Sequence, residues 1–248
     1  MSKITQNGTD EAEFAKPLYV PIKRRSFFMY AGATAGATAL LLAGCKDEDN
    51  NVAAPTTPGM VSVGTGDVGV LNYAYALEQL EAGFYTQVRT GTYYTGLAAT
   101  SAEKQILDDL YYHEVIHREF FKAAITAAAP TQIIKALEPD FSKIDFNSRT
   151  SVLGTAKAFE DLGVAAYNGA GRYIQSAQYL VIAGKIVSVE ARHAAIIRDL
   201  VAEASFVDSD VVAIGSTGLE LSKEPSVVVA TANTFLKDGS KLDVSGIK

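Results

Sequence analysis

A single cysteine among 248 residues excludes an intramolecular disulfide, and its position, Cys45, explains it better than redox chemistry does. No basic stripe runs through the second half of the chain and the formal net charge is −6, which disfavours nucleic acid as a partner. Strand signals are poor: Val227-Val228-Val229 is β-branched but short and isolated. Histidine is scarce, with three in the chain, so the places where they fall carry information. What remains is 48% hydrophobic, enough for a real core in one sizeable domain or two small ones.

Residues 1–44 read as an address rather than as part of the fold. Lys23-Arg24-Arg25-Ser26-Phe27-Phe28 opens an apolar, small-residue run to Gly44 that resembles a twin-arginine export signal, with Lys23 where Ser or Thr is commoner. The run ends in Leu42-Ala43-Gly44-Cys45, similar to a bacterial lipobox. That resemblance implies cleavage before Cys45 and lipidation of Cys45, hence an exported, membrane-anchored lipoprotein of the bacterial cell envelope. The competing reading is an uncleaved transmembrane helix, but a run so rich in Ala, Gly and Thr has a modest insertion energy. Lys46-Asp47-Glu48-Asp49 resembles an acidic signal for lipoprotein surface export; its plain alternative is a solvated charge run. Residues 45–66 then hold the lipidated cysteine and a Pro-, Thr-, Gly- and Asn-rich tether. Residues 1–44 carry five Lys/Arg and three Asp/Glu, leaving 17 against 25 and a side-chain charge of about −8 after cleavage. Electrostatics alone would not hold such a chain on anionic lipid.

The rest reads as helices. Asp67 can cap a first helix running to about Arg89, with Gly91 as its stop. Ser101 starts a second, to about Ala129 before Pro130; Ser148 starts a third, to about Gly171; a fourth runs from about Tyr173 to Ala204, with Gly184 a soft spot inside it. Residues 205–223 read as loop, Glu224-Pro225 opens a short helix through Leu236, and the tail from Gly239 is expected to fray. The expected architecture is all-α: an antiparallel four-helix bundle over 67–205, followed by an extension over 206–248 with one short extra helix.

Residues three and four apart share a helix face. On the first helix Leu71, Ala74, Glu78, Glu81 and Tyr85 form one stripe; on the second, Leu107, Leu110, Glu114, His117 and Phe121. On the third it is Leu153, Ala156, Glu160, Gly163 and Tyr167; on the fourth, Ile182, Ile186, Glu190, His193, Ile197 and Leu200. Each stripe is apolar except at its middle, where it carries a carboxylate or a carboxylate with an imidazole. One carboxylate in an apolar core could be a buried acid with a raised pKa, but four at one depth repel strongly. A pair of divalent cations resolves the conflict, with carboxylate bridges and one terminal histidine on each metal. Glu114-x-x-His117 and Glu190-x-x-His193 have the spacing that such sites use inside bundles.

The chain also repeats itself. Leu77-Glu78-Gln79-Leu80 with Tyr85 aligns with Phe159-Glu160-Asp161-Leu162 with Tyr167, each tyrosine seven residues after its glutamate. Two helical hairpins related by a pseudo-two-fold axis are expected. The repeat favours Glu78 over Glu81 as the ligand, because Glu78 aligns with Glu160 and Glu81 with Gly163. Glu81 stays as an extra ligand or a nearby acid. Tyr85 and Tyr167 are either core tyrosines or donors to a ligand carboxylate. His113 is placed outside the ligand set, at the surface or behind a ligand. Asp161 and Asp199 are candidates for the group that accepts the second N–H of a metal-bound imidazole, against the plain reading of solvated acids.

Leu77–Tyr85, His113–His117, Phe159–Tyr167 and Val189–His193 together resemble the ferritin-like superfamily, and more narrowly its exported branch that includes plant desiccation-related proteins. The resemblance covers about residues 65–205. It implies a ligand set of Glu78, Glu114, His117, Glu160, Glu190 and His193, all matching by type, and two iron ions, with manganese the alternative. It also implies reaction with peroxide or oxygen at open coordination positions. The chain has no four-cysteine motif for a rubredoxin-like electron relay, which argues against a rubrerythrin-type peroxidase. Fold does not fix function, so three readings stand: an oxidant-consuming enzyme protecting the envelope, an iron-handling protein, and a non-enzymatic stress protectant built on the same bundle. A lipid anchor and a long tether are hard to reconcile with a closed storage cage. A homodimer through an outer helix face is an open alternative to a monomer.

Overall fold

The computed structural model describes residues 57–248; the export signal, Cys45 and the first part of the tether lie outside the described residues. Four long helices form two hairpins. Helix α1 (Gly66–Val88) is followed by a four-residue helix α2 (Thr92–Thr95) and by α3 (Ala102–Ala128). A crossing segment over 129–148 leads to α4 (Arg149–Ala170), a 3₁₀ turn at Gly171–Tyr173, and α5 (Ala177–Val201). The principal packing is α1 on α3 and α4 on α5, and the two hairpins meet mainly through α1 and α4. Among the described residues no helix is long and apolar enough to cross a membrane.

Local chemistry sets most boundaries. Ser101, Ser148 and Ser176 cap α3, α4 and α5, each hydroxyl accepting from the backbone N–H three residues on. Gly184 does not interrupt α5. Asp67 does not cap α1. It lies in the first turn, and its carboxylate instead accepts the backbone N–H groups of Gln175 at 2.7 Å and Ser176 at 2.9 Å. The same acid thus fastens the start of α1 to the turn that launches α5. Gly169 packs closer than any other side chain would allow, since a Cβ there would lie 1.8 Å from the Lys223 carbonyl oxygen.

The ends of the described chain are part of the fold. Helix α6 (Pro225–Ala232) continues as a 3₁₀ turn at Asn233–Phe235. Beyond it, β2 (Leu242–Asp243) pairs in parallel with β1 (Val61–Ser62), so the tail expected to fray is docked. Leu242, Val244 and Ile247 bury their side chains. Each such burial is worth about 1.5–3 kcal/mol, which outweighs the chain entropy that favoured a loose end. Asp243 adds specificity, accepting from the Thr57 N–H at 2.8 Å, the Thr57 hydroxyl at 2.7 Å and the Ser245 N–H at 2.9 Å. Buried Asn72 joins three segments: its amide donates to the Val63 and Gln132 carbonyls and accepts from the Ile134 N–H.

One end of the bundle is sealed by aromatic rings. Phe84 meets Tyr85 and Phe159 edge-on at 5.1 and 5.2 Å between centroids, and Phe159 meets Phe235 at 4.8 Å. Such pairs add roughly 0.5–1.5 kcal/mol each beyond area burial. Phe84 also meets Phe141 and Phe146 of the crossing segment at 6.1 and 5.9 Å, so the rings tie that segment and the 3₁₀ turn after α6 to the core.

Candidate metal centre

Each long helix brings one glutamate to the bundle axis. Glu78 on α1, Glu114 on α3, Glu160 on α4 and Glu190 on α5 are all 0% exposed, a degree of burial that ionised carboxylates do not tolerate without partners. His117 and His193 follow one turn after Glu114 and Glu190. The six residues fall into two overlapping groups: Glu78, Glu114, His117 and Glu190, and Glu114, Glu160, Glu190 and His193. Within each group the ligand atoms lie within 4.8 Å of one another. Glu114 and Glu190 belong to both, so they are the carboxylates that would bridge two cations held there. Glu78 with His117 and Glu160 with His193 belong to one group each and would hold the terminal positions.

The histidines cross between hairpins. His117 Nδ1 is 2.7 Å from Glu190 Oε1 and 3.8 Å from Glu114 Oε2 on its own helix. His193 Nδ1 is 2.8 Å from Glu114 Oε1 and 3.4 Å from Glu190 Oε2. These short approaches lack hydrogen-bond direction. Both Nδ1 atoms, both oxygens of Glu114 and of Glu190, and one oxygen each of Glu78 and Glu160 are buried without a hydrogen-bond partner. Polar atoms stranded in this way and gathered around two common points are the donor set that a pair of cations satisfies, so these residues fit a dinuclear metal site.

The electrostatics show the same strain. Burial would draw the imidazoles down, but the carboxylates around them outweigh it and hold His117 and His193 well above the ordinary histidine range. Burial, and then Glu190, push Glu114 up to about 8. Burial also raises Glu160. In Glu190 the two imidazoles outweigh burial and bring the carboxyl down to about 2. Without metal, the cluster can hold its charges together only by sharing protons.

The tyrosines of the repeat are donors, and they donate across the pseudo-two-fold axis. The Tyr85 hydroxyl donates to Glu160 Oε1 at 2.5 Å, and the Tyr167 hydroxyl donates to Glu78 Oε1. Each terminal carboxylate therefore has one oxygen held by a phenol and one turned toward the cluster. Glu81 lies in neither group. It is buried, and burial followed by the four cluster carboxylates keep its carboxyl well above the usual range. A Cβ on Gly163 would stand 3.0 Å from Glu81 Oε1, so the Glu81 carboxyl fills the space that its repeat partner leaves bare.

The sequence left His113 either at the surface or behind a ligand and signalled no cavity; the structure decides the first and adds the second. His113 Nδ1 lies 2.8 Å from His193 Nε2, so the group behind that imidazole is a histidine. Asp161 pairs instead with Arg198, and Asp199 accepts the Ala204 N–H. Burial, and then His193 and His117, lower His113 to about 4, which keeps it neutral. The second feature is an apolar cavity of about 30 Å³, lined by Leu77, Tyr73, Phe121, Tyr167, Tyr179 and Ile182 among others. The buried Tyr73 hydroxyl in this wall has no partner. The spacing of His113, four residues before His117, was the available signal for the first; nothing local signals the second.

The sequence profile of a family described as a ferritin-like domain matches residues 66–203. The chain belongs to the ferritin-like domain family. The match runs from the first residue of α1 to just past the end of α5, so it covers both hairpins and every residue of the cluster. No curated protein matches the chain. Among the described residues the fold is all-α apart from two two-residue strands, both of which lie outside the matched segment.

Proposed function

We propose that this ferritin-like protein is an exported lipoprotein holding two iron ions, or manganese in their place, and reacting with dioxygen or peroxide to protect the cell envelope. The observation that carries the reading is the set of eight unpartnered donor atoms on six converging side chains. Glu114 and Glu190 would bridge, Glu78 and His117 would complete one position, and Glu160 and His193 the other. When bound, such a pair supplies redox equivalents and open coordination positions to a small oxidant.

The chain's own residues shape the rest. Tyr85 and Tyr167 orient the terminal carboxylates, leaving one oxygen of each for the metal. Glu81, buried and outside the ligand set, holds a proton close to the centre. The apolar cavity is lined in part by Leu77 and by Tyr167, whose hydroxyl donates to Glu78, and its size and lining suit a small uncharged molecule. Lipidation at Cys45 and export by the twin-arginine route rest on residues 23–45; export of an already folded chain is compatible with a metal loaded before translocation.

Metal analysis of the purified protein tests the centre: two metals per chain in the wild type and none in Glu114→Gln. Oxygen-uptake and peroxide-consumption assays on the loaded protein then separate an enzyme from an inert scaffold. A loaded protein that consumes neither oxidant overturns the enzymatic reading and leaves the metal site standing.

A further inference from the structure

We propose that His113 is a positioning residue that braces His193 as a metal ligand, and that this brace makes the Glu160–His193 position the tighter of the two. The inference rests on the dinuclear reading above and concerns what that reading leaves open, the difference between the two metal positions. The six ligands are nearly symmetric about the axis, but the groups behind the histidines are not.

His193 turns Nδ1 toward the carboxylates, at 2.8 Å from Glu114, 3.4 Å from Glu190 and 3.6 Å from Glu160. Its other nitrogen, Nε2, is 2.8 Å from His113 Nδ1. A metal on Nδ1 leaves the ring proton on Nε2, so His193 donates and His113 accepts. One tautomer of each ring follows from that single contact. His117 turns Nδ1 inward in the same way, at 2.7 Å from Glu190 and 3.5 Å from Glu78. Its Nε2 makes no hydrogen bond among the described residues, and its side chain is 13% exposed against 6% for His193. One ligand imidazole is therefore held in place before metal arrives, whereas the other must be ordered by the metal itself.

The chemistry of the brace is also unusual. A ligand histidine generally donates to a carboxylate or a carbonyl, which orients the ring and makes it a stronger base. An imidazole nitrogen orients the ring without adding negative charge behind it. His113 thus contributes order to the Glu160–His193 position while leaving the ligand a weaker electron donor than a carboxylate partner would. The Glu78–His117 position has the more exposed ligand, and its tyrosine, Tyr167, borders the apolar cavity, whereas Tyr85 on the other side is 0% exposed behind aromatic rings. The braced position is the one that stays occupied; the other is the one where metal exchanges and small molecules arrive.

Cobalt(II) titration of the metal-free full-length protein, followed by absorption, tests this directly. The wild type is expected to bind two cobalt ions with separable constants. His113→Ala is expected to weaken the tighter constant about 10–100-fold and leave the weaker one unchanged. His113→Gln, whose side-chain oxygen can accept the same proton, is expected to restore most of the loss. In cobalt-loaded wild type, proton NMR should show one ligand imidazole N–H protected from solvent exchange and one exchanging fast, and His113→Gln should shift the protected signal alone. Two equally fast signals, or unchanged constants in His113→Ala, would overturn the proposal even if that variant proved unstable. Equal weakening of both positions would overturn it too, by reducing His113 to a general structural role. A wild type that binds no cobalt would overturn the dinuclear reading itself, a result distinct from all of these.

Discussion

At Glu114, burial and the neighbouring Glu190 act in the same direction, and the carboxyl takes its proton near pH 8 instead of 4.5. Folding then favours the protonated form. The contribution is fully present below about 4.5 and is lost as pH rises through about 8, because only the unfolded chain ionises freely in that window. His117 and His193, raised above their usual range, act with the same sign. Glu190 acts in the opposite sense, but its window lies between about 2 and 4.5. Metal-free protein is therefore expected to lose thermal stability steadily from pH 5 to 8, as followed by circular dichroism. Glu114→Gln should flatten that profile while abolishing metal binding. A metal-free profile that rises over the same range would contradict the proton sharing described for the cluster. Tyr167→Phe probes the same scale: it should keep both metals but weaken the Glu78–His117 position about tenfold, measured by the same cobalt titration.

Helix ends and chain termini decide the scale above. The serine caps at 101 and 148 were readable because a hydroxyl acts on backbone only three residues away. Asp67 misled for the opposite reason: its partners, Gln175 and Ser176, are more than 100 residues distant and no local pattern names them. The docked tail is a similar case, since a two-residue strand has no periodicity to detect. Asp243 makes it testable. Burial opposes its ionisation, but the N–H groups of Ser245 and Thr57 and the Thr57 hydroxyl outweigh that and bring its carboxyl to about 2. Its contribution is present above about 3.8 and is lost as pH falls through about 2. Asp243→Asn should therefore cost about 1–2 kcal/mol at pH 7 and little at pH 2, as read from urea unfolding. Gly169→Ala should cost about 1–3 kcal/mol at any pH, because its methyl group must displace the Lys223 carbonyl.

For the molecule as a whole, the four carboxylates of the cluster are a standing cost that a bound metal pair would remove. Stability is then coupled to metal. At free metal about 100-fold above its dissociation constant, the gain is about 2.7 kcal/mol per site, a rise in melting temperature of roughly 5–10 °C. Differential scanning calorimetry across a manganese series checks this, and a melting temperature that ignores metal would remove the reason for the cluster. The envelope reading is tested on intact cells: Cys45→Ser should release the protein from the membrane fraction into the soluble fraction.

Periodicity placed Glu78, Glu114, Glu160 and Glu190 at the middle of four apolar stripes, and two Glu-x-x-His spacings named the chemistry, because helical geometry converts three-residue and four-residue separations into a common face. The internal repeat chose Glu78 over Glu81, and the cluster contains Glu78 alone of the two. Which side chain reaches which partner was beyond the reach of any such pattern. Tyr85 serves Glu160, Tyr167 serves Glu78, and His113 stands behind His193, because helices from opposite hairpins cross at one depth. A stripe records which way a residue faces its own helix axis; the partner it meets depends on how helices far apart in sequence are packed, and that is settled only when the core closes.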